Sequence, residues 1–218
     1  MAGGTMNNPT LRPLVAALLA MAALPLSGCG GPPETPPLAD ARIGGPLTLV
    51  DQDGKAVKDS DFAGKYRLIY FGYTFCPDVC PVDVQTIMKG YRLLRQRNPD
   101  LAARVQPIFI TVDPERDTPA ALKAYTNAFP GLVALTGTPA QIAATAKAFA
   151  VYYQKIPAKQ DKKDPRPPEQ FAAEEKNNYL MDHSRTAMLF GPGGEPLALV
   201  AQDKGAEAVA GDIERWAR

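Results

Sequence analysis

Cysteine and histidine are scarce in this chain of 218 residues, which contains three cysteines and one histidine. A site that needs a thiolate or an imidazole therefore has very few candidate side chains. A basic excess is lacking as well, because 24 Lys and Arg residues are balanced by 23 Asp and Glu residues, for a formal net charge of +1. Since proteins that bind nucleic acid usually carry a marked positive excess, this balance argues against a nucleic-acid partner.

Long apolar runs are also missing. The most apolar stretch, residues 14–26, is shorter than the roughly 20 residues that a membrane-spanning helix needs. It follows Arg12 and ends in the Leu-Ser-Gly-Cys sequence of residues 26–29, an order typical of a secretory signal. Because this ending is similar to a bacterial lipobox, we predict a lipoprotein signal peptide at residues 1–28 and a lipid anchor on Cys29. An ordinary cleaved signal followed by an incidental cysteine is the alternative.

Composition divides the rest of the chain into a tether and one domain. Glycine and proline are concentrated in residues 29–46, which we predict to be a flexible tether. Residues 47–218 have room for one globular domain. Within it, lysine, arginine and proline accumulate at residues 155–178, which we predict to be an exposed loop insertion. A lid or docking role and a solvated loop without a specific task remain equally open for that segment.

Apolar periodicity in residues 47–218 predicts alternating strands and helices. The predicted strands cover residues 66–73 and 105–112, with hairpins at 47–54 and at 186–201, and the predicted helices cover residues 81–97, 118–129, 138–150 and 206–218. Parallel strands joined by right-handed helical crossovers, with an antiparallel pair at one side, predict an α/β fold. We expect a thioredoxin-like three-layer sandwich, in which a mixed sheet is flanked by helices.

Two of the cysteines, Cys76 and Cys80, follow the first buried strand and precede a helix whose start is marked by Pro81. The partial positive charge of a helix N-terminus favours the thiolate, which is the form that binds metals and attacks disulfides. A structural disulfide would suit an exported protein, although a loop closed by so few residues gains little stability from cross-linking. The pair alone leaves metal binding and disulfide exchange open.

The single histidine, His183, lies just before the strand predicted near residues 186–190. In thioredoxin-like topology this loop approaches the loop after the first buried strand, so we expect His183 to face Cys76 and Cys80. Two thiolates and an imidazole suit copper, because soft sulfur holds Cu(I) and imidazole extends the range to Cu(II). A structural zinc site normally has a fourth protein ligand, and the sequence offers no obvious fourth candidate. We therefore predict one copper ion per chain, Cu(I) or Cu(II), bound by these three residues.

Three motifs, in this order along the chain, resemble the Sco/SenC family. They are residues 71–81 (Phe-Gly-Tyr-Thr-Phe-Cys-Pro-Asp-Val-Cys-Pro), residues 113–119 (Asp-Pro-Glu-Arg-Asp-Thr-Pro) and residues 182–184 (Asp-His-Ser). The likeness extends over about residues 45–218. Members of this family are membrane-anchored, thioredoxin-like copper chaperones that help to assemble the binuclear copper centre of cytochrome c oxidase.

The resemblance implies that Cys76, Cys80 and His183 are the copper ligands and that the two cysteines can form a disulfide. Phe75 stands where many members of the family carry histidine, a departure that removes one additional candidate ligand. The residues 113–119 are expected to form a strand-end turn followed by a capped helix, with Asp113 shaping the site from below.

The function that the resemblance implies is delivery of copper to the binuclear copper centre of cytochrome c oxidase by a membrane-anchored metallochaperone. The expected partners are the copper-bearing oxidase subunit, an upstream periplasmic copper donor and the membrane itself. The expected location is the periplasmic side of the bacterial cell envelope, with a lipid anchor in the inner membrane.

The alternative function is that of a thiol–disulfide oxidoreductase, in which Cys76 and Cys80 act as a catalytic pair and reduce the copper-ligand cysteines of a partner protein. Such enzymes usually have two residues between the cysteines and a cis-proline before the later strand. In this chain three residues intervene, and residues 179–190 contain no proline. Both departures favour metal binding, so we expect a chaperone rather than an enzyme.

Overall fold

The computed structural model describes residues 34–157 and 179–218, together with Met1 and Gly3. The lipidation site Cys29, the predicted signal peptide apart from those two residues, and residues 158–178 of the predicted insertion lie outside the described residues. One compact unit begins at Pro36 and continues to Arg218. Within the described ranges, no helix is both long enough and apolar enough to cross a membrane.

The elements alternate along the chain. The strands are β1 Thr48–Asp51, β2 Ala56–Lys58, β3 Tyr66–Gly72, β4 Val105–Thr111, β5 Val133–Thr136, β6 Tyr153–Pro157, β7 Tyr179–His183, β8 Ala187–Phe190 and β9 Pro196–Val200. The α-helices are α1 Val79–Arg97, α2 Pro99–Ala103, α3 Pro119–Thr126, α4 Pro139–Ala148 and α5 Ala206–Trp216, and short 3-10 turns occupy Asp59–Phe62 and Gln202–Lys204.

A seven-stranded mixed sheet organises the unit, with strand order β2-β1-β5-β4-β3-β8-β9. The three central strands β5, β4 and β3 are parallel to one another, whereas β1 and β8 pair with them in the antiparallel direction. This arrangement confirms the predicted mixed sheet flanked by helices. The β6 and β7 strands pair with each other in a separate antiparallel ribbon.

The central strand β3 decides where the cysteines lie. Every residue of β3 is buried, as expected for a near-continuous apolar run that is covered on both faces. The chain leaves β3 at Gly72, makes a short loop and enters α1 at Val79. Helix α1 packs closely on α5 because Gly90 has no side chain, and a Cβ added there would lie 2.5 Å from Val209.

Several boundaries and elements differ from the expectations. Helix α1 begins at Val79 rather than at Pro81, since the first N–H groups of a helix have no partner within it and a proline is tolerated anywhere in the first turn. Strand β5 and the β6–β7 ribbon were not predicted, and the start of the predicted insertion, residues 155–157, belongs to β6.

Part of the predicted tether contacts the folded unit. The backbone N–H of Leu38 donates to the carbonyl of Leu197 at 3.0 Å, and that of Gly44 donates to the carbonyl of Ala148 at 2.8 Å. Ordered contacts of the compact unit therefore extend back to Leu38. The boundaries of the signal peptide, the tether and the domain remain predictions.

Candidate metal centre

Both cysteines carry free thiols at the beginning of α1. Cys76 lies in the loop after β3, where its N–H donates to the carbonyl of Tyr73 at 3.3 Å. Cys80 lies in the first turn of α1, and its backbone N–H donates to the Cys76 sulfur at 3.5 Å. Cys76 is 9% exposed, whereas Cys80 is fully buried. Of these two cysteines, Cys76 thus keeps a small exposed fraction and Cys80 none.

The environments of the two thiols shift their pKa values in opposite directions. Burial opposes ionisation of Cys76, but the N–H groups of Cys80 and Asp78 hydrogen-bond to its sulfur and lower its pKa below the usual value of 9.0. Burial raises the pKa of Cys80 to about 12. The expectation that the helix N-terminus favours both thiolates is therefore right for Cys76 and wrong for Cys80, because burial outweighs the backbone dipoles at the deeper position.

His183 ends β7 and faces Cys80, as predicted. The Nδ1 atom lies 2.9 Å from the carbonyl oxygen of Ser184, which can only accept a hydrogen bond. Nδ1 therefore carries the proton, and Nε2 keeps a lone pair. That Nε2 atom lies 3.1 Å from the Cys80 sulfur. Because burial lowers the pKa of His183, the imidazole is neutral and accepts a hydrogen bond from the Cys80 thiol.

The three predicted ligand residues border one region, although not as a preformed cluster. Cys76 and His183 line a cleft of about 190 Å³ together with Tyr73 and Met181. Among the described residues, no three His, Cys, Asp or Glu side chains are already gathered as a metal-ion site. The contacts instead run from His183 to the Cys80 sulfur and from the Cys80 backbone to the Cys76 sulfur. The donor types nevertheless fit a soft metal ion, because two thiols and a neutral imidazole whose Nε2 carries a lone pair border the same region.

The motif at residues 113–119 supports the cysteine loop, and it does so through Asp117 rather than through Asp113. The buried carboxylate of Asp117 accepts from the backbone N–H of Thr74 at 3.0 Å and from the hydroxyl of Thr111 at 2.6 Å. It thereby holds the loop that leads to Cys76. The predicted turn and capped helix are present, since the Thr118 side chain caps α3. Asp113 instead accepts from the Tyr179 hydroxyl at 2.7 Å.

Arg116 connects the cysteine loop with the ribbon that carries His183. Its guanidinium group lies over the rings of Tyr179, at 3.6 Å, and of Phe75, at 5.0 Å. It also donates to the carbonyl of Tyr179 at 3.0 Å and forms an ion pair with Asp113. The Phe75 position, which lacks the histidine common in the resembled family, thus packs on the arginine of the second motif.

A second connection, between Asp83 and Arg185, was missed by the sequence reasoning. Asp83 lies three residues after Cys80 on α1 and is 3% exposed. Its carboxylate accepts from the Tyr70 hydroxyl at 2.9 Å and from Arg185 at 3.1 and 3.2 Å. An acidic residue one helical turn after a cysteine, on the face of α1 that packs inward, was the available signal.

The fold and this region define a class of protein. A dithiol at the start of the helix that follows the central parallel strand is the arrangement of thioredoxin-like proteins, and here a histidine at the end of β7 contacts the second cysteine. A family model described as SCO1/SenC matches residues 35–218. The chain therefore belongs to the SCO1/SenC family, as its three motifs predicted.

Three relatives illustrate the match. The "Protein SenC" of Rhodobacter capsulatus is 41% identical over 145 residues, which are 66% of this chain and 61% of that protein. The mouse "Protein SCO1 homolog, mitochondrial" is 37% identical over 172 residues, 78% of this chain and 55% of that protein. The structure of Bradyrhizobium japonicum ScoI with copper bound is similar with a TM-score of 0.66 and 39% identity, covering 80% of this chain and 99% of that chain.

These comparisons confirm the predicted thioredoxin-like fold. The chain spans 61% of the length of SenC and 55% of that of mouse SCO1, somewhat more than half of these relatives.

Proposed function

We propose that this chain is a membrane-anchored copper metallochaperone that delivers copper to the binuclear copper centre of cytochrome c oxidase. The proposal rests mainly on the position of His183 beside the dithiol. Its Nε2 atom, which carries the lone pair, lies 3.1 Å from the Cys80 sulfur. Membership of the SCO1/SenC family and the similarity to a copper-bound ScoI structure support the choice of metal.

Cys76, Cys80 and His183 are the proposed copper ligands, and copper is the cargo that they carry. The two sulfurs supply soft donors for Cu(I), and the imidazole adds the nitrogen that Cu(II) favours. Cys76 is prepared for this role because its pKa is lowered. Cys80 has to release its proton when copper binds, and the ion itself drives that release. One copper ion per chain is therefore expected.

The surroundings of the site are part of the proposal. A lipid on Cys29 would hold the domain at a membrane surface, and the function requires the periplasmic side of the bacterial envelope, at the inner membrane. The partners would be an upstream copper donor and the copper-bearing subunit of the oxidase. The bacterial SenC relative supports an envelope location.

The alternative function, thiol–disulfide exchange, is favoured by one observation. A partly accessible thiol with a lowered pKa lies beside a buried thiol with a raised pKa, which is the order expected of an attacking and a resolving cysteine. The Cys76 thiolate would attack a partner disulfide and form a mixed disulfide. Attack by Cys80 would release the reduced partner and leave a Cys76–Cys80 disulfide, which an external dithiol would have to reduce again.

A transfer experiment separates the two functions. Copper-loaded protein is mixed with the copper-binding domain of the oxidase subunit, whose ligand cysteines have already been reduced. We expect copper to move to that domain with a Cys29→Ser variant as well, and not with a Cys76→Ser/Cys80→Ser variant. If copper does not move, and the apo protein instead reduces the oxidised domain repeatedly in the presence of a dithiol, the oxidoreductase function is correct.

A further inference from the structure

We propose that the ion pair between Arg185 and Asp83 is a positioning device that holds His183 beside Cys80 and gives the site its affinity for Cu(II). The proposal rests on the proposed copper function and adds a distinction between the two oxidation states. Neither residue belongs to the predicted ligand set. Both act, in this proposal, through the histidine.

The first argument is the place of the ion pair between the two ligand-bearing elements. Asp83 follows Cys80 by three residues on α1, and Arg185 follows His183 by two residues after β7. Arg185 donates from Nε and Nη2 to the two oxygens of Asp83 at 3.2 and 3.1 Å. A two-point contact of this kind fixes both distance and orientation, so it sets the spacing between the helix that carries Cys80 and the segment that carries His183.

The second argument is that the segment around His183 has its own fixed points on the other side. The N–H of Ser184 donates to the carbonyl of Tyr152 at 2.9 Å, and the Ser184 hydroxyl accepts from the N–H of Tyr152 at 3.1 Å. These bonds attach the segment to the residue that precedes β6 of the ribbon. Toward α1 the segment has the contact of His183 with Cys80 and the two bonds from Arg185 to Asp83. Of these two side chains, Arg185 is the one that is not a proposed copper ligand.

The third argument concerns the buried carboxylate. Asp83 is only 3% exposed, and a buried charge is strongly unfavourable when its partners are removed. Without the guanidinium group, only the hydroxyl of Tyr70 among the contacts described here would remain, at 2.9 Å. The ring of Tyr70 also lies edge-on to the imidazole, with the ring centres 6.4 Å apart. A shift of this carboxylate would therefore act on His183 both through Arg185 and through the Tyr70 ring that packs against the imidazole.

The consequence differs between the oxidation states of copper. Two thiolates are sufficient to hold Cu(I), whereas Cu(II) depends on the imidazole nitrogen. Loss of the ion pair would leave Cys76 and Cys80 at the start of α1 and would release only the histidine. Arg185 and Asp83 are thus expected to select for Cu(II) without contacting the metal.

The test compares the parent protein with Arg185→Gln, Arg185→Lys and the double variant Asp83→Asn/Arg185→Gln, which removes the buried carboxylate at position 83 together with its partner. Arg97→Gln is the matched control, because Arg97 also connects α1 with another element, through an ion pair with Glu207 of α5. Each protein is titrated with Cu(I) and, separately, with Cu(II). Circular dichroism and a cooperative thermal transition verify that each variant is folded.

We expect Arg185→Gln and the double variant to bind Cu(II) about 10- to 100-fold more weakly, the range typical of residues that orient a metal ligand. Arg185→Lys should lie between these variants and the parent, since lysine keeps the charge without the two-point geometry. Cu(I) affinity should not change in any of them, and Arg97→Gln should resemble the parent with both ions.

The tautomer of the His183 imidazole in the apo protein provides a second, independent measurement. The chain contains one histidine, so its imidazole NMR signals arise from His183 alone. The parent should show a single tautomer with the proton on Nδ1, and Arg185→Gln should show averaging between tautomers. Unchanged Cu(II) affinity, unchanged imidazole signals or an equal loss of Cu(I) and Cu(II) would overturn the inference. Absence of copper binding in the parent would instead overturn the proposed function and this inference together.

Discussion

The two sides of the candidate copper site are held in different ways. The cysteine side follows the buried central strand β3 and is fixed by the fully buried Asp117. The histidine side belongs to a two-stranded ribbon outside the main sheet and is connected to the rest by side-chain contacts, among them those of Arg116 and Arg185. One side is thus part of the core, while the other depends on a few side-chain contacts. This difference suits a site in which the thiols are constant and the imidazole contribution can be adjusted.

The largest expected effect is a difference in reactivity between the two cysteines. Cys80 is part of the cysteine side, but its sulfur contacts His183 on the histidine side. The pKa of Cys76 lies below 9.0 and that of Cys80 is raised to about 12. At neutral pH Cys76 should therefore carry far more thiolate than Cys80. Alkylation of the apo protein at pH 7, followed by peptide mass spectrometry, should label Cys76 and leave Cys80 unlabelled. Reactivity of Cys76 should persist below pH 9, because its lowered pKa keeps the thiolate populated there. Equal labelling would contradict the assigned environments.

Removal of the imidazole should affect only the contribution of the histidine side to copper binding. We expect His183→Ala to weaken Cu(II) binding by more than about 100-fold, since an outer residue that only orients a ligand already accounts for 10- to 100-fold. Cu(I) binding should change much less, because both thiols remain. Competition titrations in each oxidation state provide the measurement. A loss that is equal for both ions would mean that the two sides are not separable.

The cysteine side should respond mainly in stability. Asp117→Ala leaves the Thr74 N–H and the Thr111 hydroxyl without their buried acceptor, so we expect a loss of about 3 kcal/mol in the free energy of unfolding. Asp117→Asn is the matched control. It keeps an acceptor oxygen and removes a carboxylate whose pKa is raised by burial, so its loss should be smaller. Urea unfolding tests both variants, and equal losses would count against this explanation.

A smaller effect is expected where Arg116 joins the two sides. Its guanidinium group lies over Tyr179 and Phe75 in a mostly buried position. The double variant Arg116→Gln/Asp113→Asn, which leaves no unpaired carboxylate at position 113, should cost about 1 to 2 kcal/mol, the range for a desolvated cation–π contact. Arg97→Gln, which removes an exposed ion pair, should cost about 0 to 1 kcal/mol. Thermal unfolding distinguishes them, and equal costs would argue that Arg116 does not tie the ribbon to the cysteine loop.

Much of the architecture could be predicted because its signals are local. The continuous apolar run at β3, the Thr-Pro starts of α3 and α4, and the hairpin at Gly54 depend on neighbouring residues in the chain. Strand β5, which has four residues, was not predicted. The β6–β7 ribbon was missed because its first strand is largely exposed and pairs with residues on the far side of the insertion.

For the site, residue types were predictable and environments were not. The scarcity of cysteine and histidine in the sequence is enough to indicate Cys76, Cys80 and His183. The raised pKa of Cys80 depends on how deeply the first turn of α1 is buried, which no local pattern indicates. The pairing of Asp83 with Arg185 joins residues that are 102 positions apart, and only the folded chain brings them together.

Copper titration of the reduced protein, followed by absorption and EPR spectra in both oxidation states, tests the central claim most directly. The account predicts one copper ion per chain, bound through sulfur in both states and through the imidazole nitrogen in the Cu(II) form. Cys29→Ser should behave like the parent, and Cys76→Ser/Cys80→Ser should bind no copper. Stoichiometric binding by that double variant would contradict the assignment of the site.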